Sequence, residues 1–286
     1  MDTPIRINAA EISETVSQLC QDANFNLGSD VVKALALAHE KEESPVAKEI
    51  LSELLENAKI ARKNTMPLCQ DTGVAVVFVE MGQNVEIIGG CIYDAINAGV
   101  HKGYKKGFLR KSIVADPLGR TNTNDNTPAI IHTEFVAENH LKITFMAKGG
   151  GCENMSKIAM LTPADGREGL IHFVVETVAH AMANPCPPII VGVGMGGTFD
   201  YAALLAKKSL LRPVGSENKN PDTAQLEKEL LDKINNLGIG AQGLGGRITA
   251  LAVHVESHPC HIASLPVAVN IDCHSHRVKT AILGSK

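Results

Sequence analysis

Apolar positions divide the chain into a helical beginning, an alternating middle and an extended end. Through residues 9–64 they recur at helical spacing, at Ile12, Val16 and Leu19, then Val31, Val32, Leu35 and Leu37, then Ile50, Leu51, Leu54, Leu55 and Ile60, which predicts three helices. Ser44-Pro45 opens the third, because a proline in the first helical turn removes an N–H that has no intrahelical partner there, and Pro67 stops it. The β-branched run over 74–79 reads as a buried strand, and Gly89-Gly90 leads into a helix over 93–106. Residues 110–128 have no period and are rich in Asn, Thr and Asp; a loop of that length inside a compact domain points to function. Residues 129–136 and 141–147 predict the two strands of a hairpin. Beyond them come a helix near 167–183, a buried strand over 188–193, helices over 198–211 and 221–236, and strands over 248–255, 265–271 and 278–283.

Helices and strands alternate only in the middle, so the pattern predicts an α/β fold of mixed sheets covered by helices, with a helical N-terminal segment, and not a regular Rossmann fold. By length the 286 residues could make one large domain or two ordinary ones, and no repeat or linker settles the count.

Composition narrows the partners. With 44% hydrophobic and 20% charged residues in 286 the chain has the makings of a sizeable core. The net charge is −4 and the 27 Lys and Arg are scattered, with no Trp and 3% aromatic residues, which argues against nucleic acid, whose binding uses clustered cations and stacking rings. No apolar run approaches a membrane span. The first residues, MDTPIRINAAEISE, do not open with a basic and then apolar stretch as a signal peptide does, so a cytoplasmic location is expected.

Seven cysteines, an odd number without an export signal, read as thiols or metal ligands and not as a disulfide framework. Cys20, Cys91 and Cys260 read as small hydrophobes. Cys69, Cys186 and Cys273 stand in segments that packing does not explain: the polar turn Cys69-Gln-Asp-Thr-Gly73, the proline-fixed Asn184-Pro-Cys-Pro-Pro188, and Asp272-Cys-His-Ser-His-Arg277. Single cysteines from distant segments suit a cluster held where loops meet better than a zinc ribbon or a ferredoxin site. Two readings of another class stay open. A zinc-binding module would use Cys260-His261 with Cys273-His274 or His276. An NAD-dependent oxidoreductase would use Gly192-Val-Gly-Met-Gly-Gly197, which follows a strand and precedes a helix but lacks the acidic residue expected about 20 positions on.

Met66-Pro-Leu-Cys-Gln-Asp-Thr-Gly73, Lys148-Gly-Gly-Gly-Cys-Glu-Asn154, Ala183-Asn-Pro-Cys-Pro-Pro188 and the segment from His261 to Cys273 together resemble, in order and over nearly the whole chain, the class I iron–sulfur fumarate hydratases and the related L(+)-tartrate dehydratases. The resemblance implies a [4Fe-4S] cluster held by Cys69, Cys186 and Cys273, with one iron open to substrate. It sets Cys152 apart, at a position where family members vary. It implies substrate contacts from Gln70, Asp71, Arg110 and Gly151, and proton transfer by Asp71 and His261. An arginine suits a carboxylate because it binds bidentately, and a histidine suits proton transfer near neutral pH. Single-chain members carry a further swivelling C-terminal domain that supplies more arginines and the C–H base. The resemblance therefore implies an α subunit, a hetero-oligomer with a fumarase β subunit, and reversible hydration of fumarate to (S)-malate, an activity of the tricarboxylic acid cycle. Tartrate dehydration to oxaloacetate is the alternative.

Overall fold

A computed structural model describes residues 4–284 of the chain. They form two compact units, one from the residues up to 27, 60–150 and those from 277 onward, the other from 28–59 and 151–276. The mixed α/β class is observed in both.

The first unit is built on a four-stranded sheet in the order β10-β5-β2-β4, with β2 (Val74–Gly82), β4 (Ile130–Val136), β5 (Leu141–Lys148) and β10 (Val278–Leu283). A short parallel pair, β1 (Ile5–Asn8) and β3 (Val85–Ile88), accompanies it. Two helices, α1 (Ala9–Phe25) and α4 (Ile92–Lys106), close the core. Asn8 caps α1 by accepting the Ala10 N–H at 2.8 Å, which satisfies one of the N–H groups a helix start leaves unpaired. Ile12, Val16 and Leu19 of α1 are buried with Ile96 and Val100 of α4. The two helices meet closely because a Cβ on Gly99 would stand 2.7 Å from the Ser13 carbonyl oxygen, and one on Gly103 2.8 Å from that of Ser17.

The predicted hairpin is not a hairpin. β4 and β5 each pair with β2, parallel and antiparallel respectively, and so lie on either side of it. β2 is almost continuously buried and takes a partner on each edge. The link between β4 and β5 passes over the end of β2 at Gly82, whose N–H donates to the His140 carbonyl at 2.9 Å. A Cβ there would lie 2.0 Å from the Glu138 carbonyl oxygen, so only glycine fits.

The second unit has a mixed sheet in the order β6-β9-β7-β8, from β6 (Lys157–Leu161), β7 (Ile189–Gly196), β8 (Ala250–His258) and β9 (Leu265–Asp272). β7 runs parallel to β8 and antiparallel to β9. The helices α6 (Gly166–Ala181) and α8 (Pro221–Asn235) cover one face of the sheet. Asn220 caps α8 through the N–H groups of Asp222 and Thr223, with Pro221 just inside the helix, the arrangement that proline and asparagine favour. The helix α7 (Phe199–Ser209) packs on β7 so closely that a Cβ on Gly192 or Gly194 would meet the Ala206 or Ala202 carbonyl oxygen at 2.2 or 2.1 Å. Two of the glycines in the nucleotide-like motif are thus taken up by helix–strand packing.

α2 (Ser29–Lys41) and the start of α3 (Pro45–Asn64) also belong to this unit. Glu42, between them and 2% exposed, accepts the backbone N–H groups of Glu43, Ser44, Arg247 and Ile248 at 2.8–3.0 Å. Burial would raise its carboxyl, but these bonds outweigh it and hold the group below the ordinary range. No helix among the described residues is long and apolar enough to cross a membrane.

Candidate functional site

The polar turn that carries Cys69 lies between the end of α3 and β2. Cys69 is half-buried and its thiol donates to Gln70 Oε1 at 3.5 Å, while Gln70 itself is exposed. Asp71 is fixed by backbone donors: Oδ1 accepts the Gly73 N–H at 3.0 Å and Oδ2 the Gly150 N–H at 2.8 Å. Arg277, 2% exposed, donates to the Asp71 carbonyl. The Asp71 carboxylate therefore anchors the glycine run of 149–151, and the Gly150 N–H is committed to it.

The long loop over 110–128 is bound to the same turn. The Thr72 hydroxyl donates to the Arg110 carbonyl at 2.9 Å, and buried Asn126 donates to the Gly73 carbonyl at 3.1 Å while accepting the Ser112 N–H at 2.7 Å. The Tyr104 hydroxyl of α4 donates to the Thr72 carbonyl at 2.7 Å; burial pushes its ionisation well above the ordinary range, so it stays a donor. The first unit thus collects Cys69, Gln70, Asp71 and Arg110 in one loop cluster, with the Arg110 side chain exposed.

Strand geometry gathers the other two cysteines in the second unit. Cys186 precedes β7 and Cys273 follows β9, and because these strands are antiparallel, with Ile190 opposite Asp272, both cysteines stand at the same end of the sheet. Cys186 is exposed, at a φ of 54°, in the left-handed region that non-glycine residues adopt at a cost of about 1 kcal/mol or more. Its turn is held by the Cys186 N–H donating to the Ala183 carbonyl at 2.9 Å and by His274 Nδ1–H donating to the Cys186 carbonyl at 3.0 Å. Gln242 adds backbone and side-chain bonds to the Pro187 carbonyl, both at 2.8 Å.

Cys152, on the single turn α5 (Gly150–Glu153), is buried and donates its thiol hydrogen to the Pro185 carbonyl at 3.4 Å. Its sulfur, the Cys273 sulfur and an Asp272 carboxylate oxygen all lie within 4.8 Å of one another. His276 Nδ1–H donates to Asp272 Oδ2 at 2.6 Å, with both residues buried. None of the seven cysteines is in a disulfide. Cys20 is buried as expected, whereas Cys91 and Cys260 are exposed and are not core residues.

His261 is placed elsewhere. It precedes β9, and Cys273 follows it, so the eight-residue strand sets them apart by about 23 Å at roughly 3.3 Å per residue. His261 is exposed, accepts the Ala263 N–H at 3.1 Å, and borders two cavities of about 630 and 530 Å³ that also share Cys260 and Ser264. The zinc set drawn from Cys260-His261 and Cys273-His274 or His276 is not assembled within this unit, because β9 separates its halves. The sequence reading missed Arg277, Asn126 and the Asp272–His276 pair. The i,i+4 spacing of Asp272 and His276 was their one visible signal, and no local pattern announces that Arg277 reaches Asp71.

Comparison with known proteins bears on the whole constellation. Residues 13–282 match the family model described as Fumarate hydratase (Fumerase). A protein of Methanocaldococcus jannaschii, with the provisional name L(+)-tartrate dehydratase subunit alpha, is 47% identical over 275 residues, which is 93% of this chain and 95% of that protein. The L(+)-tartrate dehydratase subunit alpha of Escherichia coli strain K12 is 32% identical over 277 residues, 96% of this chain and 91% of that protein.

Proposed function

The chain belongs to the fumarate hydratase family of iron–sulfur hydro-lyases, and from that premise we propose that it is the α subunit of a two-subunit enzyme that reversibly hydrates fumarate to (S)-malate. The observation that carries this reading is the placement of thiols at loop ends. Cys186 and Cys273 share one end of the second unit's sheet, and Cys69 sits on the turn that also holds Gln70, Asp71 and the Arg110 loop. Soft thiolates on loops suit an iron–sulfur cluster, and a set of three cysteines leaves one iron without a protein ligand. Cys69, Cys186 and Cys273 would hold a [4Fe-4S] cluster. When bound, the cluster supplies Lewis acidity toward a substrate hydroxyl and carboxylate.

The chain's own residues do the rest. Arg110, exposed at the head of its loop, binds one substrate carboxylate bidentately. Gln70 donates to the substrate from the turn, and Gly151 lets the substrate approach the backbone beside the anchored glycine run. Asp71, with each carboxylate oxygen already accepting a backbone N–H, orients this run and serves as the local proton acceptor. His261, which β9 keeps from the cysteines of its own unit, is the second group proposed to move a proton, paired with Asp71. Residues 1–286 are proposed to act as one cluster-binding catalytic domain. The C–H base and the arginines for the far carboxylate come from a fumarase-type β subunit, and the enzyme works in the cytoplasm as part of the tricarboxylic acid cycle.

A second reading, dehydration of L(+)-tartrate to oxaloacetate, is favoured by the names of both relatives. The two substrates differ by a hydroxyl on one carbon. Anaerobic reconstitution with iron and sulfide, with the β subunit present, tests both in one assay. Turnover of fumarate and malate with little turnover of tartrate is the expected result. The reverse preference would replace fumarate by tartrate, and full activity without the β subunit would remove the two-subunit reading.

A further inference from the structure

The buried trio behind the Cys186 turn has chemistry of its own. Cys152, Asp272 and Cys273 are 4%, 1% and 8% exposed, and their ligand atoms lie within 4.8 Å of one another. They come from two separate segments, α5 and the end of β9. Two thiols and a carboxylate packed together out of water become three mutually repelling anions if ionised, a repulsion that a cation in their midst would offset. The ligand atoms around a tetrahedral zinc stand about 3.3–3.8 Å apart, given zinc–ligand distances of about 2.0–2.3 Å, so the trio closes on an ion with small side-chain movements. His276, donating to Asp272 Oδ2 at 2.6 Å, holds the carboxylate as an outer partner holds a ligating group. The Pro185 carbonyl, 3.4 Å from the Cys152 sulfur, fixes the direction of that side chain.

We propose that Cys152, Asp272 and Cys273 form a site for one divalent, borderline-soft cation, with Zn²⁺ the ion best matched to two sulfurs and one oxygen. Binding releases the two thiol protons to solvent, and a water completes the coordination. The site is distinct from the cluster set in using Cys152 and Asp272, yet it shares Cys273. If that cysteine also holds the cluster, as the functional reading above has it, zinc and cluster exclude each other, and Cys152 is what lets zinc compete.

The test uses the full-length chain, cluster-free, reduced and treated with a chelator. Titration with Zn²⁺ against a chromogenic competitor should show one ion per chain. Cys152→Ser and Asp272→Asn should each weaken it at least tenfold, while Cys69→Ala leaves it unchanged. Replacing zinc by Co²⁺ should give sulfur-to-cobalt charge-transfer absorption for two thiolates and the strong visible bands of a four-coordinate ion; in Cys152→Ser the charge-transfer intensity should halve. Unweakened zinc binding in Cys152→Ser, or a weak six-coordinate cobalt spectrum in the unmodified chain, overturns the site. The cluster reading is tested separately by iron–sulfide reconstitution of the zinc-loaded chain. Blocked assembly, relieved in Cys152→Ser, is expected; unimpeded assembly beside bound zinc would leave the zinc site standing and remove Cys273 from the cluster.

Discussion

His254 shows what one buried side chain does to the response of the protein to pH. It is 1% exposed on β8; burial lowers its pKa to about 4, Arg212 and His276 add to this effect, and Glu227 opposes it. The ordinary histidine value is about 6.5. The folded state therefore resists a proton that the unfolded chain accepts. The stability that follows is present in full above pH 6.5 and is lost as pH falls toward 4. Between pH 7 and pH 5 this one residue removes about 2 kcal/mol. Urea unfolding of the wild type and of His254→Leu at the two pH values should show a pH dependence shallower by about that amount in the variant. Equal pH dependence in both would mean that His254 is not the group that resists protonation. Nothing in the sequence marks this histidine among the eleven, because burial comes from the α7 layer and the neighbouring strands, not from its own segment.

At the scale of elements, periodicity predicted most helices and strands, since their apolar faces are local patterns, but it did not predict which strands pair. Residues 129–147 look like a hairpin because two apolar runs are joined by a short polar stretch, yet β2 lies between them. Pairing is decided by how many edges the most buried strand must fill, and a local window does not contain that information. The one trace in the sequence is Gly82, where the connecting chain passes. Replacing it by alanine should destabilise the protein by roughly 3 kcal/mol or more, since a backbone carbonyl has to move. Gly215→Ala, at a φ of 89° with open space around the new carbon, should cost only about 1 kcal/mol. Urea unfolding of the two variants checks the order, and a Gly82→Ala variant as stable as Gly215→Ala would remove the crossing as a constraint. The candidate site follows the same division. Cys69, Cys186 and Cys273 were proposed as ligands from the sequence because each stands in a segment whose prolines or polar residues serve no packing. Arg277 and the partners of Cys152 were not, because their roles depend on how antiparallel β7 and β9 and the ends of β5 and β10 bring remote segments together.

For the molecule as a whole, what is established is membership of an iron–sulfur hydro-lyase family. One unit fixes Cys69 beside the Arg110 loop, and the other fixes Cys186 and Cys273 at one end of its sheet. The central claim is that these three sulfurs and no others hold a [4Fe-4S] cluster. The most direct measurement is the iron and acid-labile sulfide content of the anaerobically reconstituted chain, taken for the wild type and for Cys69→Ser, Cys186→Ser, Cys273→Ser and Cys152→Ser. About four irons and four sulfides per chain are expected in the wild type and in Cys152→Ser, with large losses in the other three variants. A full complement of iron and sulfide in any of those three, or its loss in Cys152→Ser alone, would contradict the assignment.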